Sequence, residues 1–539
     1  PGVGMPWLIK QVKEPSPWLI GTLLGLGVLI SLFPLLFHSG IPFGHDASFH
    51  LSRIQALSNA FSQGVFYPGV YAEYFKGYGY GAGLFYPDFF LSIPAVFTLL
   101  GCSGTTALKL YFVIANIATG VIMFYSVGRV YPNQPWISLI SAYFYLFCSY
   151  HTTNLYYRCA VGELTAMAFI PLIIAGLWEI CEKNGHWGML TLGFSGVILS
   201  HVLSAVMMAL FCLAIFLLTV RQFIEEPSRF LALLKTAGAT FLISAFFTLP
   251  LLEQLWINPI WGDTGLLGSV SNWAVSPVDA ILSLPVEHFG RENVPPAGVG
   301  VILLIMGILG CTQRRRWCFE TRVLFCGFFS LWMTTTLFPW GILAPYFQNL
   351  QFPWRFYGLT SGIFCFFSGE CLYRLPKGRN VLCPILCLTV LTVLFFWNTT
   401  TIYSVRGTVS DNPFPSFPAG CEYLPKEMVY GELLEHLASN QWGTQTDYYS
   451  KKFTISQIGW QTLPIIYYPG YSVQIEGLRV ETRKNSSGFL EINSNRTGEG
   501  TLQFIGTPLR RWSVGISMVS SVILEGVFIG RQVRREKRQ

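Results

Sequence analysis

Trp18-Leu-Ile-Gly-Thr-Leu-Leu-Gly-Leu-Gly-Val-Leu-Ile-Ser-Leu-Phe-Pro-Leu-Leu-Phe37 runs for 20 residues without a charge, and Gly44-His45-Asp46-Ala47-Ser48-Phe49-His50-Leu51-Ser52-Arg53 follows it. The first stretch is long enough to cross the hydrocarbon core of a bilayer. The second sets an acid, two histidines and an arginine where such a helix would emerge into water. Ionisable groups beside a membrane call for a functional reason.

The rest of the chain repeats the first signal. It has 539 residues, of which 52% are hydrophobic and 12% charged, about half the charge of an ordinary soluble protein. About twelve apolar segments can be placed, at 18–37, 105–127, 135–149, 163–180, 187–200, 202–220, 233–252, 298–310, 323–338, 356–372, 381–396 and 512–529. Residues 87–101 are apolar but short and carry Pro94, so they read as an interfacial helix. The expected class is an all-α polytopic membrane protein of about 12 spans with a small β-rich domain near its C-terminus. The first run lacks a small-residue cleavage site and reads as a retained helix. Pro1-Gly2-Val3-Gly4 ahead of Met5 reads as an expression remnant.

The net charge of +7 belongs to loops and is no sign of nucleic acid, because no Lys/Arg run is interleaved with stacking aromatics. The 13 cysteines show no CxxC pair and sit mostly in apolar runs, as small hydrophobes do. With the N-terminus inside, one set of loops carries Lys10, Lys13, Arg129, Lys183, Arg221, Arg229, Arg314, Arg315, Arg316, Arg374, Lys377, Arg379 and the basic tail. The positive-inside rule then predicts a plasma-membrane protein with both termini cytoplasmic. Residues 1–17 form a cytoplasmic N-terminus, 18–397 the membrane region, 398–511 an outer domain, and 512–539 a last span with its tail. Outer loops fall at 38–87, 254–296 and 338–355. In the outer domain, alternation at Lys451, Tyr471 and Gly488 predicts an antiparallel β unit, preceded by a short helix at 431–438.

That topology puts Asp46, His50, Arg53, Lys76, Arg158, Glu163, His201, Glu253 and Arg355 on one membrane face, drawn from separate segments. Asp46 heads a helix predicted to reach Gly64, and Asp46, His50 and Arg53 share a face at spacings of three and four. Asp46 would equally serve as that helix's N-cap. Arg158 and Arg355 are the phosphate candidates because a guanidinium pairs with phosphate oxygens; the alternative is snorkelling to lipid headgroups. Glu163 is placed to pair with Arg158. His201 suits either a ligand or an interior histidine. Tyr71, Tyr74, Tyr78 and Tyr80, among closely spaced glycines, suit stacking on sugar rings or an aromatic belt. Glu287, His288 and Glu292 match no standard metal spacing. Asn398, Asn485 and Asn495 begin glycosylation sequons.

His45-Asp46-Ala-Ser-Phe-His50, Tyr157-Arg158-Cys-Ala-Val-Gly162-Glu163, Leu199-Ser-His201-Val-Leu-Ser-Ala205, Gln351-Phe-Pro-Trp-Arg355-Phe356, Glu422-Tyr-Leu-Pro425 and Tyr467-Tyr-Pro-Gly470-Tyr471, in this order, resemble the GT-C glycosyltransferases that use polyprenyl-phosphate sugars. The likeness extends to the branch that glycosylates bacterial walls and teichoic acids, and to the membrane family labelled 6-pyruvoyl-tetrahydropterin synthase related. Nothing in the sequence suggests a soluble pterin site. The resemblance implies an inverting enzyme without a cofactor. Asp46 would be the general base, and Arg158, Arg355, His50, Arg53 and His201 would hold the donor phosphate. Lys76, Tyr78, Tyr80, Glu163 and Glu253 would line the substrate. Some relatives add a second acid and a divalent metal; here the neighbour is His45. The implied partners are a polyprenyl-phosphate-linked sugar, an extracytoplasmic glycan acceptor and membrane lipid. The rival readings are a lipid-linked sugar flippase, a glycan polymerase and a scaffold for wall assembly.

Overall fold

A computed structural model describes residues 15–183, 186–264, 269–283, 298–314, 316–347, 350–409, 421–439 and 449–536. Each of the twelve apolar segments coincides with a helix. Six of those helices are long and apolar enough to cross a membrane: Pro17–Phe37, Gly104–Val130, Val161–Lys183, Val202–Glu225, Pro227–Ile257 and Arg379–Arg406. The others are shorter, as at Pro135–Phe147, Gly188–Ile198 and Val301–Thr312, or more polar, as at Pro508–Glu536. An apolar run of a dozen residues suits a helix packed within a bundle as well as one facing lipid. The expected helix after Asp46 is Ala47–Ser62, and the expected interfacial helix is Ser92–Leu99.

The chain divides into two compact units, neither continuous in sequence. The first holds Pro1–Ala47, Lys109–Ala237 and Ser269–Ser410. Its helices approach closely where glycine removes the side chain, which is how apolar helices pack without a hydrophobic drive between them. A Cβ on Gly176 would stand 2.5 Å from the backbone nitrogen of Leu190, and one on Gly369 would strike the carbonyl oxygen of Ile137. Ser141 ties that second contact by donating to the Phe366 carbonyl at 3.0 Å and accepting from the Gly369 amide at 3.2 Å. These contacts join Val161–Lys183 to Gly188–Ile198, and Tyr357–Tyr373 to Pro135–Phe147.

Two short strands complete this unit. Strand β1 (Ile41–Pro42) pairs antiparallel with β2 (Thr408–Val409), setting Ile41 opposite Val409. The chain just before Asp46 is thereby tied to the chain just after Arg379–Arg406.

The second unit holds Ser48–Leu108, Gly238–Gly268 and Asp411–Gln539. The β unit expected here has, among the described residues, seven strands in two sheets: β3 (Lys451–Ile455), β4 (Gly459–Ile466), β5 (Tyr471–Ile475), β6 (Leu478–Arg479), β7 (Glu481–Lys484), β8 (Phe489–Ser494) and β9 (Gly498–Phe504). One sheet runs β3-β9-β5-β6 and the other β4-β8-β7. Tyr471, Val473 and Ile475 alternate inward along β5, the period-two burial of a half-covered sheet. The expected short helix is Tyr430–Ser439. The tyrosine- and glycine-rich stretch after Gly64 is interior to this unit: Tyr71, Tyr78 and Tyr80 have no exposed surface.

Candidate active site

In the first unit two dipeptides distant in sequence stand against each other, His45-Asp46 and Tyr157-Arg158. The approach needs Gly44, since a Cβ there would lie 2.5 Å from the carbonyl of Arg158. The Asp46 amide donates to that same carbonyl at 2.9 Å. Arg158 ends a π-helical turn, Thr153–Arg158, a form found often at functional sites. Cys159 then takes a left-handed conformation at φ 53° and reverses the chain into Val161–Lys183. That reversal sets Glu163 beside Arg158.

The side chains form a branched ion-pair cluster. Arg158 Nη2 donates to Asp46 Oδ2 at 3.2 Å and Nη1 donates to Glu163 Oε2 at 2.8 Å. Arg355 Nε donates to Glu163 Oε1 at 2.7 Å. The Tyr150 hydroxyl donates to Glu163 Oε2 at 2.7 Å, and Asn154 Oδ1 accepts from Arg158 Nη1 at 3.0 Å. Arg355 comes from the turn Pro353–Phe356, where the Leu350 carbonyl and Gln351 Oε1 accept from its Nη1. The Trp354 ring lies 4.7 Å from the Arg158 guanidinium carbon, in cation–π range.

Exposure separates the two acids. The side chains of Glu163, Arg158 and Arg355 are buried, whereas that of Asp46 is 35% exposed. Glu163 has each oxygen committed inside the protein. Asp46 meets solvent. Burial raises the Asp46 carboxyl above the usual aspartate range, Arg158 opposes that rise, Glu163 adds to it and Arg355 opposes it. Solvent on the exposed third limits the rise.

Two histidines flank the cluster. His201 caps Val202–Glu225, its Nδ1 accepting from the Ser204 amide at 3.3 Å. Burial pushes it down to about 3, so it is neutral and close enough to feel Glu163 and both arginines. His45 is lowered to about 4, by loss of hydration on its inner face and then by the charges of Arg406 and Arg158. Its Nε2 lies 3.0 Å from Arg406 Nη2. A guanidinium only donates, so Nε2 accepts and the proton sits on Nδ1.

Asp46, Arg158, Glu163 and Arg355 thus meet directly, with His201 beside them. His50, Arg53, Lys76, Tyr78, Tyr80 and Glu253 belong to the second unit. There Arg53 is 1% exposed and donates to Asp88 at 2.6 Å, to Tyr71 at 3.2 Å and to the Pro87 carbonyl at 3.0 Å. His50 is buried against the ring of Tyr86. The Tyr78 hydroxyl donates to the His436 carbonyl at 3.2 Å, and Tyr80 packs on Phe75 and Tyr423, so neither ring offers a free face to a sugar. Lys76 is exposed and donates to the Leu437 carbonyl at 3.4 Å. Glu253 accepts from Thr507. Among the described residues no group of three or more His, Cys, Asp or Glu is placed to hold a metal. Glu287, His288 and Glu292 lie outside the described residues.

Sequence reading passes over Tyr150, Trp354 and Arg406. The first two are aromatics in apolar runs, where nothing distinguishes them from core. Arg406 has a signal, as a single cation ending a long apolar helix. That signal is lost when the helix is ended at 396.

Residues 85–402 match the model of a family described as a 6-pyruvoyl-tetrahydropterin synthase related domain of membrane proteins. No curated protein matches the chain in sequence. Among solved structures it is similar to the arabinofuranosyltransferase AftD from mycobacteria, at 15% identity and a TM-score of 0.44, over 72% of this chain and 28% of that one. ArnT from Cupriavidus metallidurans, solved with undecaprenyl phosphate, matches at 13% identity and 0.36, over 77% and 68%. The Archaeoglobus fulgidus oligosaccharyltransferase in its apo form matches at 10% and 0.41, over 80% and 61%. The chain thus spans about 28% of the length of the arabinofuranosyltransferase. The family match covers more than half of the chain and runs through Arg158, Glu163, His201 and Arg355, so the chain belongs to the 6-pyruvoyl-tetrahydropterin synthase related family of membrane proteins.

Proposed function

We propose that this chain is an inverting glycosyltransferase of the GT-C type, moving a monosaccharide from a polyprenyl-phosphate donor to an extracytoplasmic glycan. The observation that carries the reading is the half-open ion pair: Asp46, partly exposed, held at 3.2 Å by a buried Arg158 that Glu163 anchors from behind. A carboxylate so placed is oriented and accessible, as a general base must be.

The reaction balances without a cofactor. Asp46 takes the proton of an acceptor hydroxyl as its oxygen bonds to the anomeric carbon from the face opposite the phosphate. The bond from that carbon to the phosphate oxygen breaks, and the electron pair leaves on the phosphate as an anion. A phosphate anion is a competent leaving group, so no general acid is needed. Hydrogen-bond donors and cations fixed at the departing phosphate would stabilise the charge as it develops. With one base and no covalent nucleophile, the anomeric centre inverts.

Asp46→Asn keeps size and hydrogen bonding but removes the base. The expected result is a folded chain whose transfer of labelled sugar from a polyprenyl-phosphate donor falls on the order of 10²–10⁴-fold. Turnover at the wild-type rate would rule Asp46 out as the base. Movement of donor between leaflets without sugar transfer, by the wild-type protein, would favour the flippase.

A further inference from the structure

We infer that Arg406, with His45 and Tyr157, forms an anion subsite that receives the donor phosphate; this rests on the glycosyl-transfer reading above. The charge pattern leads to it. Around Asp46 the described residues place three guanidiniums, Arg158, Arg355 and Arg406, against two carboxylates, Asp46 and Glu163. Arg158 bridges both carboxylates and Arg355 is committed to Glu163. Among the described residues Arg406 has no carboxylate within ion-pair distance, so the excess positive charge resides there.

The site is built. Arg406 ends the helix Arg379–Arg406 and is only partly buried. Its Nη2 donates to His45 Nε2 at 3.0 Å and to the Tyr157 hydroxyl, and its guanidinium carbon lies 4.3 Å from the centre of the Tyr157 ring. The β1–β2 pairing and the 3.2 Å bond from the Phe43 amide to the Gly407 carbonyl fix this arginine against the loop that carries Asp46. Nε and Nη1 make no hydrogen bond among the described residues. An N–H donor on a charged guanidinium makes a strong hydrogen bond to a phosphate oxygen, and Nε and Nη1 supply such donors while Nη2 is held by His45 and Tyr157. His45 accepts from Arg406 through Nε2, and it adjoins Asp46 in the chain. The subsite therefore sits beside the proposed base while the buried arginines hold that base in position. The competing role is structural: a cation in the last turn complements the helix dipole.

The test uses the full chain in nanodiscs and three probes: decaprenyl monophosphate, decaprenol and inorganic phosphate. Wild type is expected to hold the monophosphate more tightly than decaprenol. Arg406→Ala should weaken the monophosphate about tenfold or more, the scale of a lost charge-assisted bond, and leave decaprenol unchanged. Arg406→Lys should recover part of the loss. Inorganic phosphate should displace the lipid more readily from wild type than from Arg406→Ala. Equal monophosphate affinity in wild type and Arg406→Ala overturns the subsite, as does a loss shared by decaprenol, which would mark a packing role. A wild type that does not distinguish monophosphate from decaprenol defeats the glycosyl-transfer reading itself.

Discussion

Glu163 is the residue on which the cluster turns, because one buried carboxylate satisfies two buried guanidiniums. Removing one member of a buried pair costs more than the pair contributes, since the partner stays desolvated and uncompensated. Glu163→Gln should therefore lower stability by about 3–5 kcal/mol, read as a fall in the unfolding midpoint of the purified protein. A midpoint equal to wild type would show that water or rearrangement replaces the carboxylate. Asp46 offers a second test at this scale. Its carboxyl is raised above the usual range, and a base works only when ionised. Activity should be lost as pH falls through that raised value, so the acid limb of kcat/KM should lie above an ordinary aspartate's pKa of about 3.9. Arg355 opposes the rise, so Arg355→Gln should move the limb to still higher pH. A limb unmoved in that variant would mean that Asp46 does not set it. The sequence marks Asp46, Arg158, Glu163 and Arg355 as charges beside apolar runs. It does not say that Glu163 faces both arginines, because an offset of 192 residues separates it from Arg355.

At the scale of elements, the site depends on a loop pressed onto a turn. Gly44 lets the strand β1 and its continuation lie against the Arg158 carbonyl. In Gly44→Ala the added methyl must push Asp46 away from its partner. Displacements near 1 Å can cost about 10²-fold in rate. The expected outcome is a large fall in transfer with a small change in unfolding temperature; unchanged transfer would show that the loop yields without moving Asp46. The helices were legible from their apolar lengths, and the amphipathic helix after Asp46 from its spacing. Strands β1 and β2 were not, since two residues carry no periodicity. The π-helical turn before Cys159 was equally hidden, being a local response to packing rather than to composition.

At the scale of the whole molecule, the charge pattern of the loops predicts that the β strands and Asp46 lie outside the cell and the basic loops inside. An impermeant maleimide should label Thr497→Cys in intact cells above the background of the unsubstituted chain, and label Glu225→Cys only after permeabilisation. The opposite pattern would invert the orientation and put the proposed base on the cytoplasmic side. The two-unit division also belongs to this scale. Residues 48–108 and 238–268 join the C-terminal strands in one unit although long apolar helices intervene. Burial sorts the candidate residues accordingly: Arg53, Tyr71, Tyr78 and Tyr80 are interior to that unit, a fate that their spacing does not reveal.

The sequence by itself determined that the chain is apolar and helical, where its helices fall, and which charges interrupt them. Those properties follow from residue type and local spacing, which act over a few turns of chain. The tertiary structure alone decided which charges meet. Asp46, Arg158, Glu163 and Arg355 come together with Arg406 nearby, whereas Arg53 is consumed by Asp88. An ion pair is selected by distance in space and by what is left to solvate each charge, and neither quantity is written in the order of residues.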